Sequence, residues 1–175
     1  MLGRQESTNF PDVLPLQIAN EASIRELNSR LREKGHDEIT IERFRPNIIV
    51  RGCDSPDVED KTPKAWSEDS WKTVRILNGE EKTGVMGISG EKGLVIDVQA
   101  RCARCQVPNV DPETAEKDKN EPCDTLVSYR RVDEGIKWKP CFGMLSCPRN
   151  EGPIAVGMKF EVTEMMDGHL YIKGF

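Results

Sequence analysis

The sequence predicts a mostly β, barrel-like fold with one or two helices at its edge. Short apolar segments of strand length recur along the chain, and they follow one another without regular crossover helices. A doubly wound parallel sheet would need a helix between successive strands, so this class is disfavoured. The length of 175 residues suits one domain, or one domain with an extension.

Two segments carry helix signals. In the first, at about 20–34, Asn20 is the expected N-cap and Gly35 follows the last turn. Apolar residues at i, i+3 and i+7 from Ile24 form one stripe that a helix would bury. The second segment, 124–131, is shorter and predicts one or two turns of helix at the edge of the sheet.

Seven segments favour strands, and they are 45–51, 71–77, 84–88, 93–101, 142–145, 158–163 and 170–172. Residues 53–70 carry six acidic residues against two lysines, together with two prolines. We expect this segment to be a solvated, mobile surface loop. Residues 111–121 are also acidic and polar, and predict a second loop.

Charge and hydropathy exclude several classes of protein. Lysine and arginine total 25 and aspartate and glutamate 30, a net charge of −5. A nucleic-acid or anionic-membrane binder would usually show a basic excess. No apolar run approaches the roughly 20 residues that span a bilayer, and the first residues lack a signal-peptide core. We expect an intracellular protein, cytoplasmic or mitochondrial, without a direct membrane span.

Six cysteines occur, and they are Cys53, Cys102, Cys105, Cys123, Cys141 and Cys147. We expect reduced thiols, because the chain can build a core and lacks a secretory signal. Cys102 and Cys105 form a C-x-x-C pair, but no second pair follows at zinc spacing and no helix starts there. A zinc site and a redox pair are therefore the weaker alternatives. We expect Cys105 to carry chemistry and the other five to pack as small apolar residues.

Although the protein is acidic, three segments of the sequence are rich in arginine. Their arginines are Arg43, Arg45, Arg51, Arg101, Arg104, Arg130 and Arg131. Arginine binds phosphate through two parallel N–H donors, so these clusters predict a site for a small phosphorylated ligand. Ordinary ion pairing with the acidic loops is the alternative.

The neighbourhood of Cys105 favours a ligand site. Arg104 precedes it directly, and a guanidinium stabilises a thiolate that can act as a nucleophile or hold a soft metal. His36 and His169 both lie in polar turn contexts, so neither is an obvious base for a cysteine protease. A thiolate that holds a metal cofactor, with arginines on the cofactor's phosphate, fits these residues better.

Seven motifs appear in order: RFRPNIIV at 43–50, EDSW at 68–71, CARC at 102–105, VDPET at 110–114, TLxxYR at 125–130, FG at 142–143 and IxVG at 154–157. Together they resemble the MOSC domain family, which includes the C-terminal domains of molybdenum cofactor sulfurases and of amidoxime-reducing components. The resemblance covers about residues 10–163. It implies a β-barrel that binds the molybdenum cofactor, a pterin with a dithiolene and a phosphate.

The resemblance also implies roles for individual residues. Cys105 matches the cysteine that ligates molybdenum in the amidoxime-reducing branch, and is thereby the catalytic and metal-binding candidate. Arg45 and Arg104 match arginines that contact the cofactor. Asp12 matches a further contact region, and Asn47 is expected to order the same strand end as Arg45.

Three functions are compatible with this family. The first is the molybdenum-binding domain of an oxidoreductase that reduces small N-hydroxylated substrates, with electrons from a separate heme or flavin protein. The second is the cofactor carrier of a molybdenum cofactor sulfurase, which would work with a pyridoxal-phosphate cysteine desulfurase domain. The third is a degenerate domain that serves as an interaction scaffold.

Two departures from the family pattern bear on the structure. Family members usually carry a separate N-terminal β-barrel module, which we do not expect within these 175 residues. We expect residues 1–9 to be an N-terminal extension and residues 10–175 to be the MOSC domain. In addition, Ala115 stands where a glycine usually follows the Val-Asp-Pro-x-Thr pattern.

Overall fold

The computed structural model describes residues 14–52, 63–77 and 93–171. Their strands are β1 (Leu16–Asn20), β2 (Ile48–Val50), β3 (Trp71–Leu77), β4 (Leu94–Ala103), β5 (Cys141–Pro148) and β6 (Lys159–Met165), and their helices are α1 (Glu21–Glu33) and α2 (Cys123–Tyr129). The strands form one six-stranded sheet, in the order β2-β1-β5-β4-β3-β6, that curls into a half-barrel. The predicted mostly β, barrel-like fold with edge helices is confirmed.

β5 is a central strand of the sheet, and residues 141–147 are all buried. One apolar cluster joins β3, β4 and β5 to the first strand, with Val74, Ile96 and Met144 fully buried. A second cluster fills the space under α1, where the rings of Phe44 and Phe142 stack with centroids 3.8 Å apart. The core therefore covers both faces of β5, as expected of a strand whose residues are buried without alternation.

Helix α1 lies where the sequence predicts it, within one residue at each end. The side-chain oxygen of Asn20 accepts a hydrogen bond from the amide of Ala22 at 2.9 Å and so caps the first turn. At the other end Gly35 takes a φ of +82°, and its amide and the next one bond back to carbonyls of the last turn. This is the C-terminal arrangement that glycine favours.

Strand β2 is shorter than the predicted 45–51. It is preceded by a 3-10 helix, Ile41–Phe44, and by Arg45 in the left-handed region. β2 pairs in parallel with Ile18 to Asn20, and β1 ends there because α1 begins at the next residue. The end of β1 therefore limits β2 at Val50, whereas the left-handed Arg45 precedes its start.

The prediction of a solvated loop over 53–70 is wrong for its last part, while residues 53–62 lie outside the described residues. Ser67–Ser70 forms a 3-10 helix, and Glu68 is fully buried. Its carboxylate accepts hydrogen bonds from Ser23 Oγ at 2.6 Å and Asn20 Nδ2 at 3.1 Å. These donors belong to α1 and its cap, 45 and 48 residues earlier in the chain.

The end of the described chain also differs from the prediction. Residues 170 and 171 of the predicted strand 170–172 form no strand, and residue 172 lies outside the described residues. The amide of Tyr171 donates to the carboxylate of Asp133. His169, expected in a polar turn context, is buried, and its ring nitrogens lie 3.1 Å and 2.7 Å from the carbonyl oxygens of Gln99 and Trp71. The predicted strand 84–88 lies outside the described residues. Residues 111–121 form a loop, as predicted.

No helix within the described ranges combines the length and the apolar character needed to cross a membrane.

Candidate functional site

Two of the predicted site residues converge on Gln17 of β1. The side-chain oxygen of Asn47 accepts a hydrogen bond from the Gln17 amide at 2.7 Å, and the Asn47 amide donates to the Gln17 carbonyl at 2.9 Å. Arg104 donates from Nη1 to Gln17 Oε1 at 3.1 Å. The residue before β2 and the residue after β4 therefore meet at one end of the sheet.

Gly143 of β5 allows this meeting, because β5 lies between β1 and β4. A Cβ atom at Gly143 would lie 2.7 Å from Gln17 Nε2 and 3.0 Å from the carbonyl oxygen of Ile18. Its φ of +75° is also one that residues with side chains rarely adopt. The Phe142-Gly143 motif thus keeps the space through which Gln17 reaches Arg104.

Arg104 fixes the turn that carries Arg45. Its Nη2 donates to the carbonyl oxygen of Phe44 at 2.9 Å, and its Nη1 lies 2.8 Å from Cys102 Sγ. The guanidinium carbon is 5.4 Å from the centre of the Phe44 ring. The positive charge of Arg104 is therefore held between the end of β4 and the residue before Arg45.

Arg45 has a backbone conformation that is costly for a residue with a side chain. Its φ and ψ are 56° and 45°, in the left-handed region. The neighbouring Phe44 is fully buried and its carbonyl is held by Arg104, so the surrounding contacts impose this conformation. The residue itself is exposed. Such strain at an exposed arginine is typical of functional positions.

Cys105 is exposed and follows Arg104 directly. The next element is a 3-10 helix, Val107–Asn109, which lies against the 3-10 helix Ile41–Phe44. Arg43 joins these two helices through a hydrogen bond to the carbonyl of Pro108 at 3.4 Å. Cys105 therefore lies at the same end of the sheet as Arg45 and Asn47.

The other described cysteines are less accessible than Cys105. Cys102, Cys141 and Cys147 are buried, and Cys123 is half-buried. Burial raises the pKa of the Cys141 thiol to about 12, and the nearby carboxylate of Asp133 adds to the shift. Packing is thus the role of these three buried thiols, with Cys102 also in contact with Arg104. Cys53 lies outside the described residues.

Several of the other arginines form ion pairs, which was the alternative to a phosphate site. Arg130 donates to both carboxylate oxygens of Asp69 at 3.0 Å and 2.9 Å, and its guanidinium lies 4.0 Å from the centre of the Trp66 ring. Arg101 lies near the same Asp69 and near Asp133, at 3.5 Å and 3.7 Å. The EDSW and TLxxYR motifs are joined by the Arg130–Asp69 pair and have structural roles here.

The VDPET motif forms a turn that Arg43 also supports. Asp111 accepts hydrogen bonds from the amides of Glu113 and Thr114 at 2.8 Å and 3.1 Å, and from Arg43 at 2.7 Å. The backbone donors, with the charge of Arg43, lower the pKa of the Asp111 carboxyl. Ala115 closes this turn with a φ of 60°.

Gln17 is the site residue that sequence reasoning missed. It is 5% exposed, and its Nε2 has no hydrogen-bond partner among the residues that the structure describes. The available signal was a single amide within the short apolar segment 14–18. Asn47 bonds the backbone amide and carbonyl of Gln17, and Arg104 bonds its Oε1, so Nε2 is the polar atom left over. Asp12, the remaining predicted contact, lies outside the described residues.

Comparison with known proteins now adds the family. A model of the MOSC domain matches residues 5–161. Mitochondrial amidoxime reducing component 2 of Rattus norvegicus is 34% identical over 152 residues, which cover 85% of this chain and 36% of the relative. The Homo sapiens component 2 is 36% identical, with 85% and 37% covered, and component 1 of Danio rerio is 32% identical, with 88% and 38% covered. The chain belongs to the MOSC domain family, and the resemblance is confirmed.

The chain spans little more than a third of the length of these relatives.

Proposed function

We propose that this chain holds a molybdenum cofactor within an oxidoreductase that reduces N-hydroxylated compounds. The observation that carries the proposal is the convergence of Asn47 and Arg104 on Gln17. Arg104 also holds the carbonyl of Phe44, the residue before Arg45, and the exposed Cys105 follows Arg104 directly. Relatives named amidoxime-reducing components support the class of reaction, and their description as mitochondrial supports a mitochondrial location.

The chemistry of these residues fits a metal–pterin group. A thiolate is a ligand that soft transition metals prefer, and Cys105 offers an exposed thiol. Guanidinium groups match the oxygen atoms of a phosphate. Gln17 Nε2 and Arg104 Nε are buried donors without partners among the described residues, so this end of the sheet has donors in excess of acceptors.

Each residue has a separate role in the proposal. Cys105 holds the metal, and Arg45, an exposed residue, contacts the anionic part of the cofactor. Arg104 supplies positive charge and positions Arg45 through the Phe44 carbonyl. Asn47 holds the start of β2 against Gln17. When bound, the cofactor supplies the two-electron redox chemistry of the reaction.

The reaction gives a direct test of the proposal. Reduction of an amidoxime consumes two electrons and two protons, breaks the N–O bond and releases an amidine and water. The full chain, purified with its cofactor, should reduce benzamidoxime to benzamidine with a reduced viologen dye as electron donor. Cys105→Ala should abolish turnover, whereas Cys123→Ala, at a half-buried thiol, should retain it.

The other outcomes favour the alternatives. A chain that retains the cofactor but never reduces the amidoxime would instead support a carrier domain for a sulfurase. A chain that retains no cofactor would support an interaction scaffold. Equal turnover in Cys105→Ala and wild type would refute the role of Cys105.

A further inference from the structure

Cys123, the first residue of α2, is a thiol to which neither packing nor the proposed function assigns a role. It is half-buried, whereas Cys102, Cys141 and Cys147 are buried. Among the cysteines that the structure describes, it is therefore the most accessible one after Cys105. A thiol that reagents can reach takes part in chemistry only if a second reactive group lies near it, and Cys105 is such a group.

The fully buried Asn109 holds the start of α2 against the turn that follows Cys105. Its side-chain oxygen accepts a hydrogen bond from the amide of Cys123 at 3.1 Å. Its own amide donates to the carbonyl of Gln106, the residue after Cys105, at 3.1 Å. One buried side chain thus joins the segment of Cys105 to Cys123, although the two cysteines are distant in the sequence.

The electrostatic environment of Cys123 agrees with this closeness. Burial is the main cause that raises the pKa of the Cys123 thiol, and the charges of Asp124 and then of Cys105 raise it further, while Arg131 opposes them. Salt largely screens charges that are more than about 10 Å apart, so an influence of Cys105 is expected only if the two groups are neighbours. The contacts of Asn109 and this influence both place Cys123 near Cys105.

Cys102 is the competing partner for Cys105, because the two belong to one C-x-x-C motif. Cys102 is buried in β4, and Nη1 of Arg104 lies 2.8 Å from its Sγ. The pairing with β5 continues past β4, since the amide of Arg104 donates to the carbonyl of Pro140 at 2.8 Å. An extended chain separates residues three positions apart by roughly 10 Å, whereas a disulfide joins Cα atoms closer than about 7 Å. Cys123 is therefore the better partner.

We propose that Cys123 is the resolving thiol of Cys105, and that the two form a disulfide when a peroxide oxidises Cys105. The exposed Cys105 sulfur attacks one oxygen of hydrogen peroxide, the O–O bond breaks, and a sulfenic acid and one water are formed. The Cys123 sulfur then attacks the Cys105 sulfur, and the sulfenic oxygen leaves with the Cys123 proton as a second water. Two thiols are oxidised, and one peroxide is reduced to water.

The disulfide protects Cys105 from permanent damage. A sulfenic acid that meets no thiol is oxidised further to sulfinic and sulfonic acids, which thiol reductants do not reverse. A disulfide is returned to two thiols by reductant. The effect on the metal rests on the proposed function, since a bridged Cys105 cannot hold it. The disulfide itself rests only on the positions of the two cysteines.

The full chain, produced in a host that lacks the molybdenum cofactor, tests the disulfide. Wild type is treated with hydrogen peroxide, the remaining thiols are alkylated, and the peptides are identified by mass spectrometry. A linked pair of peptides that joins Cys105 to Cys123 should appear, and dithiothreitol should remove it. After peroxide and then dithiothreitol, wild type should recover most of its Cys105 as a thiol. Cys123→Ala should recover several-fold less, with the remainder as sulfinic and sulfonic acid.

Cys147→Ala is the matched control, because it removes a thiol at the other end of β5. Cys147 pairs with Asp97, whereas Cys141, at the end near Cys105, pairs with Ala103. Cys147→Ala should form the disulfide and recover Cys105 like wild type. Circular dichroism should give the same spectrum for each variant before peroxide is added, which separates a lost partner thiol from lost folding.

Three results would overturn the proposal: no disulfide at Cys105 in wild type, a disulfide from Cys105 to Cys102 or Cys53, or equal recovery of Cys105 in wild type and Cys123→Ala. The proposed function is tested separately by chain produced where the cofactor is available. If Cys105 holds the metal, this chain should form less of the disulfide than the metal-free chain. Equal amounts of the Cys105–Cys123 disulfide in both would support the disulfide and contradict the metal-binding role of Cys105.

Discussion

Arg104 has protein acceptors for both of its terminal nitrogens, and this limits what it offers to a ligand. Its Nη1 is shared between Gln17 and Cys102, and its Nη2 is taken by the Phe44 carbonyl. Its main contribution is therefore a fixed positive charge and the conformation of the neighbouring turn. Arg45 is exposed on that turn, and the proposed function assigns it the direct contact with the anion.

The comparison of Arg45→Ala with Arg131→Ala tests this division of roles. Loss of one charge-assisted hydrogen bond costs about 1.5 kcal/mol, which corresponds to about a tenfold weaker affinity for the cofactor. We expect this loss for Arg45→Ala and little change for Arg131→Ala, which removes an exposed arginine outside the site. The fraction of cofactor retained after dialysis measures the difference. Equal retention by the two variants would contradict the assignment of Arg45.

Ala115 tests the effect of backbone strain away from the site. Its φ of 60° is costly for a residue with a Cβ and free of that cost for glycine. Ala115→Gly should therefore raise the free energy of unfolding by about 0.5–1 kcal/mol, even after the greater entropy of unfolded glycine is included. Urea denaturation measures it. Ala22→Gly in α1 is the control and should instead lower stability; a loss of stability in Ala115→Gly as well would contradict the left-handed turn.

At the scale of elements, α1 and the 3-10 helix Ser67–Ser70 are joined by a buried polar group. Glu68 receives hydrogen bonds from Ser23 and from Asn20, the cap of α1. Burial raises the pKa of the Glu68 carboxyl, although these hydrogen bonds oppose the shift. The folded state therefore binds this proton more tightly than the unfolded state.

The pH dependence of stability follows from this shift. Because the pKa of Glu68 is higher in the folded state, its favourable contribution is complete at low pH and is lost as the pH rises through the folded-state pKa. The stability of wild type relative to Glu68→Gln should fall as the pH rises above the ordinary range of a glutamate carboxyl. Urea denaturation at several pH values, with the exposed Glu113→Gln as control, measures this. Parallel pH profiles for wild type and Glu68→Gln would contradict it.

The elements show what local sequence can and cannot predict. Helix α1 is predicted well because its cap, its apolar stripe and Gly35 all lie within its own segment. β2 is predicted too long, because Arg45 takes a left-handed conformation before its start and its parallel partner β1 becomes a helix beyond Asn20. The burial of Glu68 depends on donors in α1, which the count of acids in its own segment does not reveal.

At the scale of the whole molecule, the net charge of −5 averages two different arrangements. Arg43, Arg101 and Arg130 pair with acids and hold loops and helices to the sheet. Arg104 and Gln17 instead place two buried hydrogen-bond donors, Arg104 Nε and Gln17 Nε2, without acceptors among the described residues at one end of the sheet. An acidic protein can therefore contain a site suited to one small anion.

The candidate site could be predicted in part from the sequence. Arg104 and Cys105 are adjacent in the chain, so their chemistry is visible in the motif. Gln17 contacts Asn47, which is 30 residues away in the sequence, and Arg104, which is 87 residues away. These contacts also require the space that Gly143 of β5 leaves open. Contacts of this kind depend on the order of strands in the sheet.

Molybdenum and pterin analysis of the purified full chain tests the central claim most directly. Wild type and Cys123→Ala, produced where the cofactor is available, should retain molybdenum in about equal amounts, and Cys105→Ala should lose most of it. Wild type without molybdenum, or Cys105→Ala with as much molybdenum as wild type, would contradict the account.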